Sequence, residues 1–223
     1  PLVNDPGYIY QTYLHQEAAV QAWKRLSAVP HGKVLVAVLD TGAEVGHPDL
    51  VNVLNQSLSG EILSEDGKVG ALLGDGYVNG TYAGYAKSHG THVSGILAAE
   101  AGNGQGIAGA GSAGDNSVVD LMVVDVFNKE TTTSLAYLIQ GMEYARKCGA
   151  KIMNLSLGMK LDTGIDDSVL YAECRRLYEA GIIVVCAAGN HSLSDNGNIS
   201  VVPADYDSTI GVIAVDGDNR KLS

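Results

Sequence analysis

Five short apolar runs punctuate the chain, and between them apolar positions recur at helical spacing. Residues 33–39 (KVLVAVL) form a continuous, valine-rich run, the pattern of a strand buried on both faces. Residues 119–127, 150–155 (AKIMNL), 182–188 (IIVVCAA) and 209–215 (TIGVIAV) repeat it. Helices fit between these runs. Residues 88–101 combine a serine cap with small and apolar residues able to pack closely. Residues 133–148 carry Leu135, Leu138, Ile139, Met142 and Ala145 on one face, between a threonine cap and a stop at Gly149. Residues 167–180 repeat the unit and end at Gly181. Strands alternating with helices of this length predict an α/β fold: three αβα layers around a mostly parallel, twisted sheet. Residues 57–84 are glycine-rich and polar, which predicts surface loops and a hairpin.

Composition narrows the partners. The 223 residues hold 25 Asp and Glu against 14 Lys and Arg, a formal charge of −11, which argues against a phosphate-binding surface and so against nucleic acid. No apolar run approaches the ~18 residues that cross a bilayer, so no membrane span is expected. Cys148, Cys174 and Cys186 are an odd set without CxxC spacing, which speaks against a disulfide framework or zinc ribbon and for buried or free thiols. No linker or repeat divides the chain, so residues 1–223 read as one domain.

Parallel sheets bind ligands beyond the carboxyl ends of their strands. The residues there are Asp40, Ser156-Leu157-Gly158 and Gly189-Asn190. Taken alone, Asp40 is an ordinary cap or turn residue, and so is an asparagine after glycine. His89 changes the picture. At the start of a helix of small residues, its imidazole can approach a carboxylate at a strand end, which would fix its tautomer and stabilise the protonated ring. An amide at Asn190 can donate to charge developing on a substrate oxygen. His92, three residues from His89, has no third ligand at zinc spacing and reads as a packed, hydrogen-bonded histidine.

Several segments in order along the chain carry a resemblance: Asn4-Asp5-Pro6, Gln21-Ala22-Trp23, Val38-Leu39-Asp40-Thr41-Gly42, His47-Pro48-Asp49-Leu50, His89-Gly90-Thr91-His92-Val93, Gly106-Ile107-Ala108-Gly109, Asn154-Leu155-Ser156-Leu157-Gly158 and Ala187-Ala188-Gly189-Asn190. Together they make the chain similar to the subtilisin-like serine proteases (subtilases), nearest to thermitase-like secreted members. The resemblance implies a subtilisin-like fold, extracellular location and a serine endopeptidase. It implies that Asp40 orients His89, that His89 is general base and then general acid, and that Asn190 serves the oxyanion hole. It further implies that Ser156, Leu157 and Gly158 pair with a peptide or protein substrate in extended conformation. Gly158, Ala187, Ala188 and Gly189 would line a first specificity pocket open to a large apolar side chain, and Phe127 would wall a more distal one. Thermitase-like relatives hold calcium; the matching residues are the side chains of Asp5, Asp49 and Asn103 and the carbonyls of Glu100, Gln105 and Ile107. These are hard oxygen donors of the kind calcium takes.

The family's nucleophile stands in a Gly-Thr-Ser-Met-Ala segment, and no Gly-Thr-Ser occurs among these residues; Ser223 does not match it by context. The domain is therefore expected to be C-terminally incomplete and inactive by itself. The missing C-terminal segment, or a cleaved second chain, becomes its partner. Two other readings stay open. A peptide-binding pseudoprotease would keep the Ser156 to Gly158 edge without cleavage. An aspartic protease would use the two Asp-Thr-Gly triplets, Asp40-Thr41-Gly42 and Asp162-Thr163-Gly164, but that class needs an all-β fold.

Overall fold

The computed structural model describes residues 3–72, 74, 77–78, 81–82, 88–127, 132–161, 165–190 and 200–220. Its helices are α1 (Thr12–Gln16), α2 (Ala19–Leu26), α3 (His89–Ala98), α4 (Leu135–Lys147) and α5 (Ser168–Glu179). The strands are β1 (Val34–Asp40), β2 (Gly60–Ile62), β3 (Val69–Ala71), β4 (Tyr77–Val78), β5 (Thr81–Tyr82), β6 (Val119–Asp125), β7 (Ile152–Leu155), β8 (Met159–Lys160), β9 (Ile183–Ala187), β10 (Val201–Val202) and β11 (Ile210–Val212). Seven of them make one sheet in the order β11-β9-β7-β1-β6-β2-β3, parallel except for the antiparallel β2–β3 pair. β1 is central, with Val34 to Asp40 matched residue for residue to Val119 to Asp125.

The alternation of side chains along a strand explains the layers. Ala37 and Leu39 of β1, with Met122 and Val124 of β6, pack against Leu138, Met142 and Ala145 of α4; the same cluster extends to Leu170, Cys174 and Leu177 of α5. The intervening Val38, Leu121 and Val123 join Leu50, Leu54 and Ala98 in a second cluster on the opposite face. Gly90, Ser94 and Ala98, four residues apart, are the buried positions of α3, the small-residue face expected of it. A satellite core of Leu14, Trp23, Ala101, Ala108 and Ala113 seats the N-terminal helices, and Trp23 Nε1–H donates to the Ala110 carbonyl at 2.9 Å.

Several expectations change. Residues 60–62 lie buried in the main sheet rather than in a surface loop, because Gly60 and Glu61 pair with Val124 and Asp125. The hairpin appears as β4 with β5. The expected run 209–215 forms only the short β11, and all three of its residues are exposed. Ser134, not Thr133, caps α4, accepting from the Tyr137 N–H at 3.3 Å. His92 is exposed rather than packed, since the buried stripe of α3 runs through Gly90 and Ser94 instead. The three cysteines are free thiols, as expected.

Candidate active site

β1 ends on Asp40, which is 1% exposed, and α3 begins on His89, whose side chain is 49% exposed. The two meet at 2.7 Å between His89 Nδ1 and Asp40 Oδ1. The Thr41 N–H donates to the same oxygen at 2.8 Å. Asp40 Oδ2 is buried without a hydrogen-bond partner among the described residues. The close approach depends on glycine. A Cβ added at Gly90 would stand 2.1 Å from the Gly42 carbonyl oxygen and 3.2 Å from Asp40 Cβ, so any side chain there would force α3 off the strand end. Gly42 itself turns the chain after β1 with φ of 98°, a conformation that favours glycine.

Across β7 lie the other candidates. Ser156 and Leu157 are half-buried and Gly158 is exposed, in the extended stretch between β7 and β8. A Cβ on Gly158 would meet Val201 Cγ1 at 2.9 Å and the Ala187 carbonyl at 3.3 Å, so the Ser156–Gly158 stretch and the end of β9 are neighbours. Ala187 closes β9, Ala188 follows it with its N–H bonded to the Val212 carbonyl, and Gly189 turns with φ of 91°. Asn190 is exposed. Phe127 walls a pocket of about 320 Å³ together with Leu135, Leu138, Leu157, Leu170 and Val202. These walls are apolar, with Thr132, Thr133 and Ser134 as the polar rim.

The candidate metal residues gather under the loop of residues 100–107. Asp5 and Asp49 are both buried. Asp5 Oδ2 accepts the Gly102 N–H at 2.8 Å, while Asp5 Oδ1 is buried with no hydrogen-bond partner among the described residues. Asp49 accepts from Asn103 Nδ2 at 2.8 Å and the Ile107 N–H at 2.9 Å, and its carbonyl accepts the Glu100 N–H. The Gln105 N–H donates to Asn103 Oδ1. Two buried carboxylates with one oxygen left over, under a loop of carbonyls, are chemically suited to a hard cation. Among the described residues no group of three His, Cys, Asp or Glu side chains gathers as a metal site; this cradle would depend on amide and carbonyl oxygens.

Four residues contribute without any site role having been assigned to them from the sequence. Gln11 is buried and clasps Ala108 twice, donating to its carbonyl at 2.8 Å and accepting its N–H at 2.9 Å, which ties the N-terminal segment to the loop. Leu138 and Leu170 wall the pocket, but at helical spacing they are indistinguishable from core. Thr41 reaches the helix that carries His89; the signal was its place directly after Asp40. The second Asp-Thr-Gly triplet, Asp162-Thr163-Gly164, lies outside the described residues, as does Ser223. Asp40 of the first triplet stands in a parallel α/β sheet beside an imidazole, which is not the all-β setting of an aspartic protease.

Comparison with known proteins identifies the family and the fold. Thermitase of Thermoactinomyces vulgaris is 32% identical over 99% of this chain and 68% of its own length. A thermophilic serine proteinase of Bacillus sp. (strain AK1) is 34% identical over 84% of this chain and 40% of its own. Subtilisin DY of Bacillus licheniformis is 33% identical, with 59% of its length matched. The chain thus spans between 40 and 68% of these relatives. Among solved structures, the prenylagaramide maturation protease PagA superposes with a TM-score of 0.62 at 22% identity, covering 91% of this chain and 60% of that one. The epidermin leader peptide processing serine protease of Staphylococcus aureus gives 0.60 at 23%, covering 86% and 48%. At these identities the structures speak for the fold alone. The family model described as the subtilase family, Peptidase S8, matches residues 31–223, and the chain belongs to that family.

Proposed function

We propose that this chain supplies the acid–base half of a serine endopeptidase. Asp40 holds the Nδ1–H of His89, so the lone pair resides on Nε2, the nitrogen that takes a proton from a nucleophile and returns it to the leaving amine. The 2.7 Å contact between Asp40 and His89 at the carboxyl rim of the sheet carries this reading. Asn190 donates its amide to the oxyanion. Ser156, Leu157 and Gly158 accept a peptide or protein substrate as an added strand. Gly158, Ala187, Ala188 and Gly189 line the first pocket, and the apolar pocket at Phe127 takes a large apolar side chain further along the substrate. The residues form the greater part of one catalytic domain, and the attacking serine is supplied by polypeptide outside them, in the same chain or a cleaved partner.

The test is hydrolysis by the whole protein that carries this chain. It should cleave peptides with apolar side chains at pH 8 and be silenced by a serine-directed organophosphate, and Asp40→Asn should lower turnover by about 10⁴-fold. Activity confined to acid and blocked by a transition-state inhibitor of aspartic proteases would sink the proposal. Tight peptide binding without cleavage would replace it with the pseudoprotease.

Asp5, Asp49 and Asn103 would hold calcium with the carbonyls of Glu100, Gln105 and Ile107. The support is the unpartnered, buried Asp5 Oδ1 beside that loop. Bound there, the ion would neutralise the two carboxylates and tie the loop to the N-terminal segment, so a chelator should lower the melting temperature; an unchanged melting temperature argues against the site. An extracellular location rests on similarity to thermitase and the subtilisins. The major intracellular serine protease of Bacillus subtilis is also 32% identical, so cell fractionation decides it. Among the described residues no helix is long and apolar enough to cross a membrane.

A further inference from the structure

We infer that Thr41 is a positioning residue that sets the geometry between Asp40 and His89, an inference that rests on reading those two as orienter and base. Thr41 touches both halves of the pair. Its N–H donates to Asp40 Oδ1 at 2.8 Å, the same oxygen that takes His89 Nδ1 at 2.7 Å. Its Oγ1 accepts the N–H of Gly90, the residue directly after His89, at 3.0 Å. One residue therefore orients the carboxylate through its backbone and the imidazole's helix through its side chain.

The hydroxyl answers a need created by the helix. Gly90 is in the first turn of α3, where amide N–H groups have no carbonyl four residues back to bond. Ser88 stands at the cap position but its side chain makes no capping hydrogen bond. Gly90 is buried against the strand end, so water does not replace a lost acceptor. Without Oγ1 the N–H must seek another acceptor, and α3 must move to bring it there. His89 moves with it, whereas Asp40 is held in register by β6 on one side of β1 and β1 itself is held by β7 on the other. Asp40 Oδ2 offers no compensating contact among the described residues, so the carboxylate's direction depends on the two donors to Oδ1. A second hydroxyl works the same seam from the helix side: Thr91 Oγ1 accepts the Glu44 N–H at 2.9 Å.

The experiment is NMR on the ¹⁵N-labelled whole protein that carries this chain, with Thr41 as wild type, Thr41→Val and Thr41→Ser. The Nδ1–H of an imidazole bonded to a buried carboxylate gives a far-downfield proton resonance whose exchange with water reports the strength of that bond. Wild type shows it. Thr41→Val is expected to shift it upfield and speed its exchange about tenfold, the worth of one hydrogen bond, while Thr41→Ser restores the wild-type signal. An unchanged resonance in Thr41→Val overturns the inference. Should that variant fail to fold, hydrogen exchange at the Gly90 N–H of the wild type decides: slow exchange supports the hydroxyl as acceptor, and exchange at the rate of an open amide overturns it. Absence of the downfield resonance from the wild type would instead strike at the Asp40–His89 reading itself.

Discussion

β1 and β11 belong to one mostly parallel sheet, yet β1 is paired along both edges and closes in five buried residues, whereas β11 is paired, among the described residues, only to β9 and exposes Ile210 and Val212 by about half. Asp40 stands at the end of the first, and Asn190 follows the strand next to the second. The placement of the acid–base pair is thus inherited from the most constrained part of the molecule. The proposed oxyanion amide stands on the flank where the sheet of the described residues ends. The two halves of the proposed site thus lie on one sheet but are anchored differently within it, one between paired strands and one beside the last of them.

The largest effect tests whether that flank opens. Burial, with a smaller contribution from Cys174, pushes the Cys186 thiol of β9 from an ordinary value near 9 up to about 12. Burial also raises Cys174 to about 12. At pH 8 both should react with a thiol reagent about a thousandfold more slowly than an exposed cysteine, and all three cysteines should react in urea. Fast native labelling of Cys186 would show that the β9–β11 side breathes. Next, Leu39→Ala in β1 should cost about 2–5 kcal/mol by denaturant unfolding, since the residue is wholly buried. A cost below about 1 kcal/mol would mean that the centre is no tighter than the edge.

A smaller effect concerns how the helices over this sheet are joined. Glu143 of α4 bonds Arg146 and reaches Arg176 of α5, which is also paired with Glu173. The hydrogen bond from Arg146, then that from Arg176, hold its carboxyl well below the ordinary glutamate range despite partial burial. A depressed folded value means that the stabilisation is fully present above the ordinary range and is lost as pH falls through and below it. Glu143→Gln should cost about 0.5–1 kcal/mol at pH 7, with the difference from wild type shrinking in acid. A difference that grows in acid would contradict the assignment. The smallest effect is at the edge: Ile210→Thr should change stability by no more than about 0.5 kcal/mol.

Legibility in the sequence followed the same division. β1 and β6 announced themselves as long apolar runs because both faces are buried at their carboxyl ends; β7 and β9 did so as apolar runs although only alternate residues are fully buried. β2 escaped notice because Gly60-Glu61-Ile62 is three residues long and carries a glutamate into the sheet, a placement that only its pairing with β6 explains. α2 is only eight residues long, shorter than the window over which a helical period is counted, and the satellite core that it serves is assembled from distant segments. In the site, Asp40 and His89 could be found because strand ends and helix starts are readable and their motifs are specific. Thr41's hydroxyl, Gln11's clasp and the pocket walls at Leu138 and Leu170 depend on contacts across 30 to 100 residues, which no local pattern encodes.

The order of strands in the sheet also sets an order in time. The central strand β1 is made before both of its neighbours, since Val34 pairs with Val119 and Val36 with Ile152. During synthesis its valines stay uncovered until β6 emerges, and the pairing of β7 waits longer still. Closing such distant pairs is slow, and an apolar strand left waiting is a place where nascent chains stick to one another or are held by chaperones. The strand that makes Asp40 the best-anchored residue of the finished site thus makes it a late product of folding.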